Sequence, residues 1–354
     1  MTIGLDDVVA AETVLSDMDG LAGRLIIRGH SLDELAGHMS FEEIASLLLD
    51  GAFDEALTAD ALGKARVEIF FRFAPELKSV AGMPVFDAMR ALIAKIEDDS
   101  SIGTSLGLIA APAVLVPALI RAGRGQEAVA PDPKLSHAAD ILGMLTGQRP
   151  DSAAARAFAT YLVTVSDHGL NASTFTARVV ASTQAGLVSC ALAALGALKG
   201  PLHGGAPGPV LDMLDAIGTP DRARPVLREM LDRGERLMGF GHRIYRVRDP
   251  RADALKAALG GLPESPRMAL ALAVEATALA LLKARKPDRP LETNVEFFTA
   301  LLLDALGFPR ETFTAVFAMG RMAGWIAHAR EQAISGRLIR PKSLYVGPVP
   351  REAA

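Results

Sequence analysis

The stretch from Gly239 to Arg251 combines the residue types that best suit chemistry on an anion. Gly239 and Gly241 come just before His242, and glycine lets a backbone turn tightly and leave room for a ligand. Four arginines then follow within nine residues. Guanidinium groups offer paired donors to carboxylates and phosphates, and imidazole exchanges a proton near neutral pH. Taken alone, such a loop is more often a solvated basic turn, so the rest of the chain must decide.

Two further histidines share a setting of small residues that opens space around the ring. His168 precedes Gly169, and His203 lies within the glycine-rich run 200–206. Capping or turn roles are expected for the other four, His30, His38, His137 and His328. There is no H-E-x-x-H motif and no paired Cys/His spacing, so we predict no metal site.

Glu296 is the carboxylate whose surroundings favour general-base chemistry. It precedes Phe297, Phe298 and an apolar helical pattern. Removing a carboxylate from water raises its pKa and makes it a stronger base near neutral pH. The commoner alternative is a carboxylate at a helix start, where the helix dipole stabilises its charge. Both interpretations remain open at this point.

The composition favours packed helices. Half of the 354 residues are apolar and only 5% are aromatic, with few β-branched runs. The net charge of −4 argues against a nucleic-acid partner. Cys190 is the only cysteine and lies in an uncharged run, which indicates an inert thiol and is consistent with a reducing cytoplasm. The first seven residues lack the features of a signal peptide.

Two uncharged segments, 100–120 and 179–198, are about as long as a membrane span. The first contains two prolines and two glycines, the second several polar residues, and neither has a one-sided basic flank. We therefore predict two buried helices and no membrane association. So much uncharged helix also suggests that burial continues across an interface between subunits.

Helical periodicity is predicted over most of the chain after Ser31. Ser31 with Glu34, and Ser40 with Glu43, form capping boxes that mark helix starts. Further helices are predicted at 56–73, 85–97, 136–146, 153–168, 174–198, 208–217, 297–306 and 313–330. Between residues 207 and 290 the chain is richer in arginine and its helices are expected to be shorter. That stretch is predicted to form a smaller, more polar domain.

Several motifs spread along the chain together resemble the citrate synthase family. They keep the family order from about residue 5 to residue 347, nearly the whole chain. The main motifs are His168 with Asn171–Phe175, Gly200–Ala206, Gly239–Arg251, Asn294–Thr299 and Arg340–Lys342. The segments 17–20, 27–29 and 131–147 are similar to the bacterial form of the family. Any one of these motifs would be weak, but several in the right order are specific.

The resemblance implies an all-α homodimer in which a large and a small helical domain close over the substrates. Residues 1–206 and 291–354 would form the large domain, and 207–290 the small domain that carries the CoA-binding loop. The implied reaction condenses acetyl-CoA with oxaloacetate and water to give citrate and CoA. It proceeds through an enol and citryl-CoA, without a metal or a permanently bound cofactor.

The resemblance also implies roles for individual residues. His203 matches the histidine that hydrogen-bonds the acetyl carbonyl, His242 matches the one that polarises the oxaloacetate ketone, and Glu296 falls at the proton-abstracting aspartate. The implied oxaloacetate ligands are His168, Arg251, Arg321 and, from the neighbouring subunit, Arg340. The implied CoA-binding positions are Leu237, Met238, Gly239, Gly241 and Arg246.

Glu296 is also where the chain departs from the family pattern. Glutamate adds a methylene, and a misplacement of about 1 Å can cost roughly a hundredfold in rate. Two alternatives stay open beside citrate synthase, and only the second of them rests on this departure. One is a 2-methylcitrate synthase using propionyl-CoA, because one methylene discriminates acyl chains by only about 1–3 kcal/mol. The other is a paralogue that binds acyl-CoA or a dicarboxylate with little turnover.

Overall fold

The computed structural model describes residues 5, 8–203, 207–242, 244–245, 247–287 and 291–348. The α-helices are α1 Leu32–Leu35, α2 Phe41–Leu49, α3 Ala59–Phe73, α4 Val85–Ile93, α5 Ile102–Gly123, α6 His137–Thr146, α7 Ser152–Thr164, α8 Ala172–Ala181, α9 Leu187–Leu198, α10 Pro207–Ile217, α11 Ala223–Asp232, α12 Pro250–Leu259, α13 Pro266–Arg285, α14 Val295–Ala305 and α15 Phe313–Ser335. Short 3₁₀ turns occupy Ala74–Val80, Pro220–Arg222 and Arg310–Thr312.

A small antiparallel sheet precedes the helices. Its strands β1 (Ser16–Asp19), β2 (Arg24–Ile27) and β3 (His30–Ser31) pair in the order β1-β2-β3. Leu25 and Ile27 point into the core, as the two-residue period of a strand requires. The strand-like character predicted for the N-terminal region is therefore confirmed, within an otherwise helical fold.

Local sequence signals set the starts of the first helices. The Ser40 backbone N–H donates to Glu43 Oε2 over 2.7 Å, and the Glu43 N–H donates back to Ser40 Oγ over 3.2 Å. Ser31 and Glu34 form the same reciprocal arrangement. Both predicted capping boxes are confirmed, and each such cap is typically worth about 1 kcal/mol.

The long helix α15 lies at the centre of the fold and packs against α2, α5, α7, α8 and α9. Two of its glycines permit unusually close approach. A Cβ on Gly320 would lie 3.0 Å from Leu162 O, and one on Gly324 would overlap Ser166 O. The end of α7 and the turn that follows it therefore rest directly on α15, and this turn carries His168.

The prediction of one helix from 174 to 198 is wrong, because the chain breaks between α8 and α9. Gln184 has a left-handed φ of 64°, and α9 begins only at Leu187. Asp98, from a distant part of the chain, accepts from the backbone N–H of Val188 over 2.9 Å. The new helix start is thus fixed by a tertiary contact that local periodicity does not reveal.

Further helix predictions need correction, among them the helix predicted to run to residue 168, since α7 ends at Thr164. Helix α4 ends at Ile93 rather than continuing to residue 97. The segment 207–290 was expected to hold only shorter helices, yet α13 spans 20 residues. Its Ser265 cap, which accepts from Met268 N–H over 3.2 Å, and the proline at its start account for where it begins.

Helix α5 is the one described helix whose length and composition would suit a membrane span. About 78% of its most apolar window is buried inside the fold. Helix α9, the core of the second uncharged segment, is too short to pass the same test. Both segments form helices packed against α15, as predicted.

Candidate active site

Two distant backbone segments, 239–241 and 292–294, pair with one another just before α14 begins. Backbone hydrogen bonds of 2.7 and 2.9 Å join them. The Asn294 side chain adds a bond of 2.8 Å to a carbonyl oxygen of the first segment, across 53 residues of sequence. His242 directly follows one segment and Glu296 lies just beyond the other, so the pairing brings the two side chains to one region.

Gly239 and Gly241 are required by this pairing. Their φ angles of +86° and +83° lie in the left-handed region that favours glycine. A Cβ on Gly239 would lie 2.8 Å from Phe297 Cβ, and one on Gly241 would lie 2.9 Å from Leu291 Cδ2. The expectation that these glycines leave room for a ligand is wrong at their Cα atoms, because protein side chains fill that space.

Asp249 organises the start of α12 and the start of α14. Its carboxylate accepts from Arg251 Nε over 3.0 Å and from Arg251 Nη2 over 2.9 Å, a paired interaction with fixed geometry. The same carboxylate accepts from the Val295 N–H over 3.1 Å. Burial opposes the charge of Arg251 most strongly, but Asp249 more than offsets it and raises the Arg251 pKa.

His242 is held as a neutral hydrogen-bond donor. Its Nδ1 lies 3.0 Å from the N–H of Ile244 and 3.1 Å from that of Tyr245, so it accepts from the backbone. The ring proton of the neutral form then belongs on Nε2. Burial, followed by the charge of Arg251, lowers the His242 pKa to about 4.

The contact between His242 and Arg251 is a site for an acceptor. Arg251 Nη2 lies 3.1 Å from His242 Nε2. Because both groups carry a proton there, neither satisfies the other. A substrate oxygen lodged between them would accept from both, and the charge of the guanidinium would strengthen the interaction.

His168 lies beside the same pair of groups. Its ring centroid is 5.7 Å from that of His242, and its Nε2 is 3.1 Å from the hydroxyl of Tyr245. The ring is only 5% exposed. Burial and then the charge of Arg251 keep the His168 pKa well below its usual value, so this imidazole is also neutral at pH 7.

His203 is oriented by Ser173, whose Oγ lies 2.8 Å from His203 Nε2. Trp325 Nε1 donates to that oxygen over 3.1 Å. The single hydroxyl proton has a second acceptor in Asn171 Oδ1 at 2.8 Å, but that oxygen already accepts the N–H groups of Ser173 and Thr174. With the Ser173 proton directed at His203 Nε2, the neutral imidazole carries its own proton on Nδ1, where it can donate.

Arg321 brings a buried positive charge to the cluster. It is 1% exposed, and its Nε donates to Val165 O over 2.5 Å. Its Nη2 has no hydrogen-bond partner among the described residues. Burial is the main cause that lowers the Arg321 pKa to about 10, which still leaves the group charged at pH 7. A buried guanidinium with an unused donor is a site for an anion.

Glu296 has the pKa expected of a base that works near neutrality. Its side chain remains partly exposed, yet burial of the carboxyl group is the largest cause that raises the pKa to about 7. Arg251 and Arg321 act in the opposite direction, and Asp249 adds to the rise. The desolvation interpretation is confirmed, although the residue also lies in the first turn of α14.

Six residues form one electrostatic cluster, the cluster of catalytic residues: His168, His203, His242, Arg251, Glu296 and Arg321. The positive charges of Arg251 and Arg321 lower the pKa of His168, and His242 and His203 are close enough to oppose a charge on it as well. Both arginines also act on Glu296. The two arginines therefore link both predicted catalytic histidines to the carboxylate electrostatically. Across the described ranges, no three His, Cys, Asp or Glu side chains are placed to hold a metal ion.

A family assignment follows from comparison with known proteins. Residues 4–342 match the family model described as the citrate synthase C-terminal domain. The chain belongs to the citrate synthase family. The citrate synthase of Acidithiobacillus ferridurans is 36% identical over 374 aligned residues, which cover 97% of this chain and 95% of that protein.

Solved structures of citrate synthases share the fold. The enzyme from Thermotoga maritima is 33% identical, with a TM-score of 0.86 and coverage of 99% of this chain and 97% of that one. A citrate synthase from Thermoplasma acidophilum, in a ternary complex with carboxymethyl coenzyme A and oxaloacetate, is 27% identical, with a TM-score of 0.85 and coverage of 99% and 97%. The predicted all-α citrate synthase fold is confirmed.

Not every predicted site residue joins the cluster. Arg340 is exposed and lies on the segment after α15. Leu237 is buried and Met238 half-buried, beside the paired segment that leads to His242. Arg246 falls outside the described residues. The roles of these residues in a citrate synthase remain proposals.

The loop after His242 is less basic than its sequence suggests. Arg248 pairs with Asp253 and with Glu275, the latter over 3.0 Å. Arg251 is bound to Asp249. These two of the four arginines are thus paired with neighbouring carboxylates, and of this pair Arg251 is the one that faces the cluster of catalytic residues.

Sequence reasoning missed several residues that shape this site. Asp249 had a readable signal, since an aspartate before proline is typical of a helix N-cap. Ser173 lies in the motif Asn171–Phe175, whose sequence does not indicate a contact with His203. Tyr245 and Trp325 had no signal, because their contacts with His168 and Ser173 span 77 and 152 residues.

Proposed function

We propose that this chain condenses acetyl-CoA with oxaloacetate and water to form citrate and CoA. One observation carries the proposal. Two neutral imidazoles, His203 and His242, and a carboxylate whose pKa is about 7, Glu296, all feel the charge of two buried arginines. No permanently bound cofactor is needed, because acetyl-CoA enters as a co-substrate.

Oxaloacetate would bind through charge and through the unused donors. Arg321 and Arg251 offer guanidinium N–H groups to its two carboxylates. The neutral Nε2–H of His242 would donate to the ketone oxygen and make the ketone carbon more electrophilic. His168, whose Nε2 lies beside the Tyr245 hydroxyl, would supply a further polar contact to oxaloacetate.

Acetyl-CoA activation requires removal of a weakly acidic methyl proton. Glu296 would take that proton, and its raised pKa makes it a better base than an ordinary glutamate. His203 would donate from Nδ1–H to the thioester oxygen as it gains enolate character. A neutral donor suits this step because it is already oriented by Ser173 before the charge develops.

The enol carbon would then attack the polarised ketone to give citryl-CoA, which water hydrolyses to citrate and CoA. We propose that residues 1–206 and 291–354 form a large domain that closes against the small domain 207–290. Closure would exclude water until the carbon–carbon bond exists. Within the small domain, the segment 237–241 with Arg246 is proposed to hold CoA.

We also propose a homodimer, in which Arg340 reaches the neighbouring subunit's site. Arg340 is exposed, as that role requires. Helices α8 and α9 leave a half-exposed face without charge that a second copy could cover. This face includes Phe175, Val179, Leu192, Ala193 and Ala197. Sedimentation velocity tests the proposal, and a monomer at assay concentrations would contradict it.

The proposed reaction also bears on where the protein acts and on what it binds. Its substrates are small anions, and the net charge of −4 gives no field for nucleic acid. We propose a cytoplasmic enzyme without a membrane partner. Two other activities remain as alternatives: a 2-methylcitrate synthase, because one methylene discriminates acyl chains only weakly, and a paralogue with little turnover, which the glutamate at position 296 supports.

The release of CoA thiol with oxaloacetate tests the function directly. We expect clear release with acetyl-CoA and slower release with propionyl-CoA, because one extra methylene must fit beside Glu296. Reactions without acyl donor and without oxaloacetate serve as controls. Faster release with propionyl-CoA would favour 2-methylcitrate synthase, and no release with either thioester would contradict both enzymes. A Glu296→Asp variant much faster than the parent would favour the paralogue.

A further inference from the structure

The N-terminal hairpin formed by β1 and β2 touches both loops that carry oxaloacetate-facing histidines. We propose that this hairpin is a positioning clamp that holds His168 and His242 in register with one another. The proposal rests on the function proposed above. It gives the hairpin a role in substrate binding, although none of its side chains belongs to the cluster of catalytic residues.

One end of the clamp is Ser16, the first residue of β1. Its hydroxyl donates to the buried carboxylate of Asp167, and its oxygen accepts from the Gly169 N–H over 3.0 Å. The residues on both sides of His168 are therefore bonded to one serine. Gly169 has a left-handed φ of +58°, which leaves this tight turn little freedom.

A second support fixes the same turn from behind. Asp167 is fully buried and lies 3.3 Å from His328 Nε2. Arg178 Nη1 donates to His328 Nδ1 over 2.8 Å, so the histidine proton lies on Nε2 and points to Asp167. His328, expected from sequence to have only a capping role, is therefore part of the mounting for His168.

The other end of the clamp is Gly20, directly after β1. A Cβ on Gly20 would overlap the carbonyl oxygen of Ile244. The N–H of the same Ile244 donates to His242 Nδ1 over 3.0 Å. A shift of Ile244 against the hairpin would therefore move the backbone N–H that orients the His242 imidazole.

The two contacts lie at opposite ends of β1. Ser16 and Gly20 are four residues apart, about 13 Å in an extended strand. The hairpin also crosses the proposed domain boundary, since Ile244 belongs to residues 207–290. An open cavity of about 450 Å³ lies against the hairpin and Ile244.

Substituting Gly20 by alanine tests the clamp. Gly20 does not have a left-handed φ, so alanine adds only a Cβ that displaces Ile244. We expect kcat/KM for oxaloacetate to fall between about tenfold and a hundredfold, since shifts of about 1 Å have effects of that order. The KM for acetyl-CoA should stay within about twofold. Gly123→Ala, at an open position with nothing within 4 Å, is the matched control.

Two variants of Ser16 test the clamp independently, in case Gly20→Ala folds poorly. Ser16→Ala should raise the KM for oxaloacetate, and Ser16→Thr, which keeps the hydroxyl, should restore it. Titration of the ¹⁵N-labelled His242 ring by NMR gives a readout that needs no turnover. An unchanged His242 signal in Gly20→Ala, or Ser16 variants that match the parent, would overturn the clamp. A parent without CoA release but with a shifted His242 signal in Gly20→Ala would overturn only the proposed function.

Discussion

Replacing Glu296 by glutamine is expected to lower kcat by about 10³-fold, the middle of the range for loss of a general base. Glutamine keeps the shape and polarity of the side chain but cannot accept the methyl proton. The KM values for both substrates should change little, because the arginines that bind oxaloacetate are untouched. Steady-state release of CoA thiol measures both quantities.

The pH dependence identifies Glu296 as the group responsible. Its pKa of about 7 means that the carboxyl is protonated and inactive below pH 7 and becomes a base above it. The kcat/KM of the parent for acetyl-CoA should therefore rise with pH through about 7, whereas the residual rate of Glu296→Gln should lack this rise. Glu292→Gln, four residues earlier, is the control. A parent rate that is flat between pH 5.5 and 8.5 would contradict the role.

The second large effect is expected at His203. Removing one preorganised donor from a developing oxyanion typically costs about 10²–10³-fold in kcat. We therefore expect the kcat of His203→Ala to fall by about that factor. Because the His203 pKa is near 4, the effect should be the same at pH 6 and pH 8. Turnover under saturating substrates at both pH values is the measurement.

An exposed histidine provides the control for this variant. His38 lies on the surface, and His38→Ala should keep the parent kcat. If His203→Ala instead raised only the KM for oxaloacetate and left kcat unchanged, His203 would be a substrate ligand and not a donor to the enolate.

Structural features that depend only on residues close together in the sequence could be predicted. The capping boxes at Ser31 and Ser40 need only two residues three positions apart, so both were readable. The aromatic neighbours of Glu296 likewise revealed the desolvation that raises its pKa. Small residues lie beside the three histidines proposed for the site, although at Gly239 and Gly241 they make room for protein side chains and not for a ligand.

Features that depend on distant residues could not be predicted. The break between α8 and α9 is set in part by Asp98, about 90 residues away. The tautomer of His203 depends on Ser173 and on Trp325, which packs there only because α15 crosses the centre of the fold. Periodicity and motif spacing contain no information on such contacts, so the geometry of the site had to come from the structure.

The central claim is that His203 and Glu296 meet at the acyl group while His242 and the arginines hold the keto-diacid beside it. A crystal structure with oxaloacetate and an unreactive carboxymethyl analogue of acetyl-CoA tests it most directly. We predict that the analogue's terminal carboxyl group lies within about 3 Å of Glu296 and of His203 Nδ1, with the oxaloacetate ketone on His242 Nε2. A structure in which the acyl end of the analogue lies away from Glu296 and His203 would contradict the account.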